Sequence, residues 1–515
     1  MEASQRIVFN TGITYLRFII TIFLAFYTTR ITLQVLGVND FGLYNVIGGI
    51  VAMVAFLNTA LAQATQRFLS FHLGSNDVNE VKKVFANSII IHAALAIVLL
   101  IGLEVVGVYY INNVLNVAPE RLYAANFLLQ FSIAATMLTI ISVPYDALLF
   151  AHENMLFIAI INLFQAILKL CIVLGLFYYQ DLPFDKLISY GFLIMIATLT
   201  NRIILQIYVR KKYKNLKVPN VFKEFNKAKL KEQASFAGWN LLNVIGYVAR
   251  NSGLALVLNA FMGTRINASY AIGNQISNQA RFFSSTLFQA VNPQIIKNEG
   301  SNNRKSMVSL ALLGSRYATL LICLCAIPIL FNMQILLDLW LDEIPEYTAL
   351  ISIMLLISVI LNELTAGLET MVYAIGNIKT YSIVLSSIKI LSIPAAILIL
   401  YLDLDNSVFI VFCMLVTIEF LTFTFRIVFV SWKKLTNLIE YYNLVLSRIL
   451  LPIAIYGIIN YFISIYADNL WVKLIGVALS ICIYLLVVYH ITLEKDAKLS
   501  LRNMVKALFN RRKND

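Results

Sequence analysis

Fourteen apolar runs follow one another along this 515-residue chain, and most hold few charges or none. At roughly twenty residues or more each, they are long enough for a helix to cross the hydrocarbon core of a bilayer, about 30 Å thick. Inside lipid, every backbone N–H and C=O must find its partner within the chain, so only helices and closed barrels can span. A barrel strand would alternate polar and apolar side chains over about ten residues, and these runs do not alternate. The reading is an all-α polytopic membrane protein. Composition agrees: 60% of residues are hydrophobic and 13% charged, against about 25% charged in soluble domains. The spans fall near 12–35, 42–69, 84–109, 122–149, 155–179, 186–209, 236–260, 266–292, 307–333, 347–374, 380–401, 407–431, 448–466 and 470–491.

With fourteen spans the connections alternate between two sides. The side holding both termini carries 26 Lys and Arg. The other carries only Arg121 and Arg265, with eleven carboxylates that include Asp338, Asp342, Glu343 and Glu346. Positive charge stays on the cytoplasmic side, so both termini are expected in the cytoplasm, with the chain in the cell's inner (plasma) membrane. The net charge of +13 then belongs to loops facing anionic headgroups, not to nucleic acid. The stretch 210–233, RKKYKNLKVPNVFKEFNKAKLKEQ, reads as a solvated linker, as does the basic tail ending FNRRKND. Cys171, Cys323, Cys325, Cys413 and Cys482 all lie in apolar runs, with no CxxC pair, and read as small hydrophobes. The N-terminus runs into a span too long for a cleaved signal, so a retained first helix is expected.

Sliding the chain by 226 residues superposes Leu36-Gly37 on Met262-Gly263, Tyr44 on Tyr270, and Gly74-Ser75-Asn76 on Gly300-Ser301-Asn302. At an offset of 223, Ala151-His152-Glu153-Asn154 meets Ala374-Ile375-Gly376-Asn377. Spans 1–6 and 7–12 thus form a parallel repeat: an N-lobe at 1–209, a basic linker at 210–235 and a C-lobe at 236–431. Residues 432–515 add spans 13 and 14 and a basic tail. Parallel repeats accompany transporters whose substrate site lies between two lobes.

Charges and amides within spans require an explanation. Span 8 carries Asn267, Tyr270, Asn274, Ser277, Asn278, Arg281, Ser285, Gln289 and Asn292 at steps of three and four, all on one helix face. Ile272, Ile276, Phe282, Phe283 and Leu287 take the opposite face. The stripe lines either a wet cavity or a polar contact between helices. Asn10, Thr14, Arg17, Thr21, Thr28 and Thr32 form a similar stripe on span 1, with Arg30 roughly opposite Arg17. Asn240, Asn243, Tyr247, Arg250 and Asn251 do so on span 7. If these faces meet, Arg17, Arg250 and Arg281 make the cleft cationic and suited to a phosphate or pyrophosphate. An internal ion pair is the competing role for each arginine. Arg67, Arg202 and Arg316, near the basic side, have snorkelling open to them as well. Asp146, Glu363 and Glu369 could bind a coupling proton or sodium ion, or neutralise Lys169, Lys389 or the arginines. Pro144 and Pro394 can kink their spans.

Enzyme signatures are absent: there is no GxxxxGK, no HExxH and no Cys/His spacing for a metal. His72, His92, His152 and His490 are scattered. Asp403-Leu404-Asp405 has the form of a metal-binding DxD but sits in a five-residue turn, where a polar membrane exit is the expected reading. No catalytic residue, metal or cofactor is expected.

The stretches TTRITLQVLGVNDFGLYNVIGG and LAQATQRFLSFHLG resemble the start of bacterial polysaccharide-biosynthesis flippases, the O-antigen and capsule transporter branch of the MATE-like (MOP) superfamily. VPYDALLFAHENM (143–155) and AIGNIKTY (374–381) are similar to the same family's 4/5 and 10/11 connections. The resemblance covers spans 1–12. It implies two six-helix lobes rocking about a cationic lumen, with Arg30 and Arg67 carried over by motif. It implies export of a polyprenyl-pyrophosphate-linked oligosaccharide from the cytoplasmic to the periplasmic leaflet, with polymerase and glycosyltransferases of the same route as candidate partners. Two alternatives in the same superfamily are a cation-coupled multidrug exporter and a flippase for the lipid-linked peptidoglycan precursor. The exporter type usually has twelve spans and acid-rich lobes. A membrane glycosyltransferase or polymerase is disfavoured, since no outer loop exceeds about thirteen residues, too short for a catalytic domain.

Overall fold

The computed structural model describes residues 3–52, 55–113, 119–179, 185–214, 224–341, 344–402, 405–467, 469–493 and 498. Asp403 and Leu404 of the DxD turn, residues 215–223 of the basic linker and nearly all of the tail lie outside that set. Among the described residues all regular structure is helical. Among the described residues eleven helices are long and apolar enough to cross a membrane, and a bent pair, Thr348–Leu364 with Ala366–Ile375, makes twelve if it is one span. The two further expected spans, 42–69 and 266–292, are helical in large part.

The chain divides into two compact units, one of Asn10–Leu241 with Glu299–Asn302, the other of Met1–Phe9, Leu242–Asn298 and Asn303–Asp515. The first comprises most of α1 (Ala3–Ala52), then α2 (Ala55–Gly74), α3 (Val78–Asn113), a 3₁₀ turn at Pro119–Arg121, α4 (Leu122–Ala151), α5 (Met155–Tyr178) and α6 (Lys186–Lys212). It also takes the start of α7 (Lys227–Val248). Gly37, at φ 74, breaks α1 where the sequence places the first turn, because glycine alone enters that backbone region without a side-chain clash. Ile47, Leu128, Leu129 and Leu187 are among the buried residues of this unit's core. Arg121 donates through Nε to Asp40 at 2.9 Å, and its other nitrogens reach Asp40 and Asp185. That clasp joins three connections that the sequence assigns to one side of the membrane. At the other end of the unit, Asn226 donates its N–H to Asn87, and Lys229 pairs with Glu80 at 3.2 Å. The last third of the basic linker is therefore helix docked on α3, not a wholly solvated loop.

The second unit continues α7 through a π-helical turn, Ala249–Gly253, into α8 (Leu254–Gly300). The apolar span Lys227–Met262 ends inside α8, at the position where the sequence sets an outer turn. Then come α9 (Arg304–Phe331), α10 (Met333–Trp340), α11 (Thr348–Leu364), α12 (Ala366–Ile375), α13 (Lys379–Ile390), α14 (Ser392–Tyr401), α15 (Ser407–Trp432), α16 (Leu438–Tyr441), α17 (Ser447–Tyr466) and α18 (Leu470–Val487). Leu258, Tyr270, Ile351, Phe412 and Leu415 are core members. Two helix contacts depend on glycine. A Cβ on Gly367 would lie 1.9 Å from the Ala311 carbonyl oxygen, and one on Gly246 would lie 3.2 Å from the Ser386 backbone. α17 and α18 dock on α9 by a different device. Pro328 has no N–H, so the Leu324 carbonyl four residues back loses its helical partner. The Tyr456 hydroxyl donates to it at 2.9 Å, and Tyr484 donates to the Leu320 carbonyl at 2.9 Å.

The repeat seen in the sequence recurs as backbone geometry. Asn76 and Asn302 both turn left-handed, at φ 56 and 59. Each is followed by a side chain that caps the next helix, Asp77 accepting from Glu80 N–H and Asn303 from Ser306 N–H. Glu153 and Gly376 also turn left-handed, at φ 58 and 89.

Candidate functional site

A buried polar cluster of the second unit forms where α11 breaks into α12. The two helices meet at Thr365 with a bend of 45°. A break leaves carbonyls without helical donors, and here neighbours supply them: Arg426 donates to Asn362 O at 3.4 Å, and Tyr441 to Leu364 O at 2.9 Å. Arg426 (1% exposed, on α15) also donates to Thr365 at 3.1 Å and Tyr381 at 3.1 Å, and pairs with Glu369 of α12.

Two turns before Arg426, Glu419 accepts from Arg250 at 2.8 Å and from Asn362 at 2.9 Å. Arg250 lies in the π-helical turn after α7, a distortion that is frequent at functional sites. Glu363, last but one in α11, accepts from Arg281 of α8 at 3.2 Å. Lys389, 7% exposed on α13, completes the group. Its Nζ lies 5.9 Å from the ring of Tyr247, which the Arg281 guanidinium also approaches at 5.9 Å. Four cations thus surround three carboxylates in one buried neighbourhood. Low dielectric and mutual hydrogen bonds hold the three arginines and three glutamates in place.

The expected site residues distribute as follows. Arg250, Arg281, Glu363 and Glu369 enter this cluster, each arginine with a glutamate and each glutamate with an arginine. Asn243 sits beside it, buried, donating to Tyr373 and Ser382 at 3.0 Å each. Asn274 is half-buried and Asn278 exposed on α8. In the first unit Asn240 is fully buried and donates to Ala60 O and Gln63 of α2 at 3.1 and 2.9 Å. Asn240 and Asn243 therefore serve helix–helix contacts. Asp146 pairs with Arg202 at 2.8 Å, not with Lys169. Arg17 is half-buried and Arg30 exposed on α1, and neither guanidinium has a hydrogen bond or ion pair among the described residues. Sequence reasoning passed over Glu419 and Arg426. The signal was present: two charges seven residues apart in an otherwise apolar span fall on one helix face.

Repeat symmetry sorts these pairs. Glu369 and Arg426 correspond to Asp146 and Arg202, at offsets of 223 and 224, so each unit carries the same acid–arginine tie between equivalent helices. The rest of the cluster has no counterpart. At the offsets of 226, 223 and 224, Arg250, Arg281, Glu363, Lys389 and Glu419 fall on Leu24, Ala55, Ile140, Ala166 and Met195.

No protein-family model and no curated protein sequence matches the chain. Solved structures do. A multidrug resistance MATE family transporter of the MOP superfamily, in its outward-facing conformation, aligns with TM-score 0.70 at 12% identity, over 84% of this chain and 96% of that one. A MOP superfamily transporter from Pyrococcus furiosus aligns with TM-score 0.66 at 13% identity, over 84% and 95%. A Vibrio cholerae MATE transporter in the bent form gives 0.65 at 15%, over 84% and 98%. All are transporters, and at such identities the likeness concerns fold. The chain is a multi-pass membrane protein that shares the fold of these MATE-type transporters.

Proposed function

We propose that this protein is a flippase for a polyprenyl-pyrophosphate-linked oligosaccharide, moving an O-antigen, capsule or exopolysaccharide repeat unit from the cytoplasmic to the periplasmic leaflet by alternating access. The observation that carries the reading is the polarity of the C-terminal cluster: four cations, three of them buried, against three carboxylates. A cation exporter needs the opposite balance, because a site of net positive charge in low dielectric repels cationic cargo. A phosphate-bearing headgroup suits it, with guanidinium and ammonium groups as donors. The Pyrococcus furiosus neighbour is described as having a binding pocket of reverse polarity that suggests a different function, so this fold is not tied to one cargo charge. Arg17 and Arg30 on opposite sides of α1, with no guanidinium hydrogen bond or ion pair among the described residues, are the candidates for further contact with the anionic cargo. The buried carboxylates Asp146, Glu363 and Glu369 are the candidates for a coupling ion.

The test is leaflet accessibility of a fluorescent polyprenyl-pyrophosphate oligosaccharide in vesicles with and without the protein. Protein-dependent movement is expected. No movement, with efflux of a cationic dye from the same vesicles, would replace this reading by the multidrug exporter.

A further inference from the structure

We infer that Lys389 is an anion subsite, the place in the C-terminal unit where a phosphate group of the cargo is held, with Tyr247 and Arg281 at its mouth. This deepens the flippase reading and rests on it for the identity of the anion. The argument is one of elimination among the four cations. Arg250 is held by Glu419, Arg281 by Glu363 and Arg426 by Glu369. Lys389 has neither a hydrogen bond nor an ion pair from its ammonium among the described residues, only the ring of Tyr247 at 5.9 Å. It is 93% buried, since 7% of its surface remains exposed.

A buried ammonium with no carboxylate at ion-pair distance is costly: Glu369 and Glu419 act on Lys389 only through space, each held directly by an arginine, so its desolvation is not offset by a contact pair. A chain that keeps one there, at a position the other repeat fills with Ala166, has a use for a bound anion. Tyr247 is 37% exposed and the Arg281 side chain 37%, and both flank Lys389 through the same ring. Arg281, whose Nε is committed to Glu363 while its terminal nitrogens remain to donate, approaches the same Tyr247 ring and can share the phosphate with Lys389.

The chemistry is that of a phosphate or pyrophosphate, from a lipid headgroup or from a free solute. Calorimetry on the purified full-length protein in detergent, with inorganic pyrophosphate and with farnesyl pyrophosphate, separates the two sources. Tighter binding of the farnesyl ester assigns a lipid headgroup; equal affinities assign a free solute; either supports the subsite when it depends on Lys389. Lys389→Gln should weaken binding at least tenfold, and Lys389→Arg should keep most of it. Unchanged affinity in Lys389→Gln, or no binding by the unmodified protein, overturns the assignment.

A measurement without substitution guards against misfolding: amine labelling of Lys389 followed by mass spectrometry. Protection by pyrophosphate supports the subsite. Equal labelling with and without it, or no labelling in the free protein, overturns it. If the unmodified protein flips its cargo while Lys389→Gln binds pyrophosphate normally, only the subsite fails. If binding depends on Lys389 but no lipid-linked cargo moves, the transport reading fails alone.

Discussion

At the scale of single residues, ion pairing changes what a substitution can report. Replacing Arg250 or Arg281 by Gln leaves Glu419 or Glu363, each with a side chain only 3% exposed, without its partner. Breaking one half of a buried pair costs about 3–5 kcal/mol. Arg250→Gln should therefore lower the unfolding temperature in detergent, and the double variant Arg250→Gln/Glu419→Gln should recover part of the loss. Equal destabilisation by single and double variants would show that the pair carries no coupling. Loss of transport in a single variant is thus ambiguous until its stability is known. Asp185, just ahead of α6, gives a pH test. Burial disfavours its carboxylate, but the Arg121 hydrogen bond and the N–H groups of Ile188 and Leu187 outweigh that and hold the carboxyl below its usual range. A lowered carboxyl pKa stabilises the fold above the ordinary Asp value of about 3.9 and ceases to do so as pH falls through the folded value. Asp185→Asn keeps a capping side chain and removes the charge. Its stability deficit should persist from neutral pH to about 4 and close below it. A deficit of the same size at pH 3 and pH 7 would rule out the ionised clasp.

At the scale of helices, two contacts make firm expectations. Gly367 lets α12 lie against the backbone of α9, with its N–H donating to Ser315 at 2.9 Å. Gly367→Ala should abolish recovery of folded protein, because the displaced atom is a carbonyl and not a side-chain tip. Normal yield and melting would mean that the helices separate easily. The docking of α17 on α9 rests on a carbonyl that Pro328 strips of its partner. Tyr456→Phe should cost about 1–3 kcal/mol, the penalty of a buried unpaired acceptor. In a Pro328→Ala background a backbone N–H returns and the same change should cost less. A double-mutant cycle by thermal unfolding reads the difference, and additivity would sink the explanation. These devices show how much of the helix arrangement was legible. The helices themselves follow from the length of the apolar runs and the turn residues between them. Their packing partners do not, because nothing local in Gly367 or Pro328 says which neighbour will use the space or the carbonyl.

At the scale of the whole molecule, the repeat distinguishes architecture from use. Left-handed turns at Asn76 and Asn302, and at Glu153 and Gly376, recur because each half makes the same connections. The Asp146–Arg202 and Glu369–Arg426 pairs recur with them, which marks those pairs as ties between helices. The Arg250, Arg281, Lys389, Glu363 and Glu419 group occurs once, and that asymmetry directs attention to the C-terminal half. Topology can be checked directly. Cysteines introduced at Asp77 and Tyr179, in a background lacking the native five, should react with a membrane-impermeant reagent from opposite sides. Reaction from the same side would remove a span from the fourteen.

The sequence by itself determined the class of solvent, the helical state and the internal repeat. Each follows from a local or periodic property: run length, or residues recurring at a fixed offset. It also showed that arginines and carboxylates lie within spans. Only the tertiary structure decided which charges meet, because an ion pair joins helices far apart in sequence and depends on their rotation and depth. Arg250 finds Glu419 and Arg281 finds Glu363 across 169 and 82 residues. Lys389 stands out only after those pairings are known, since an unmatched charge is a property of the assembled cluster and not of any stretch of chain.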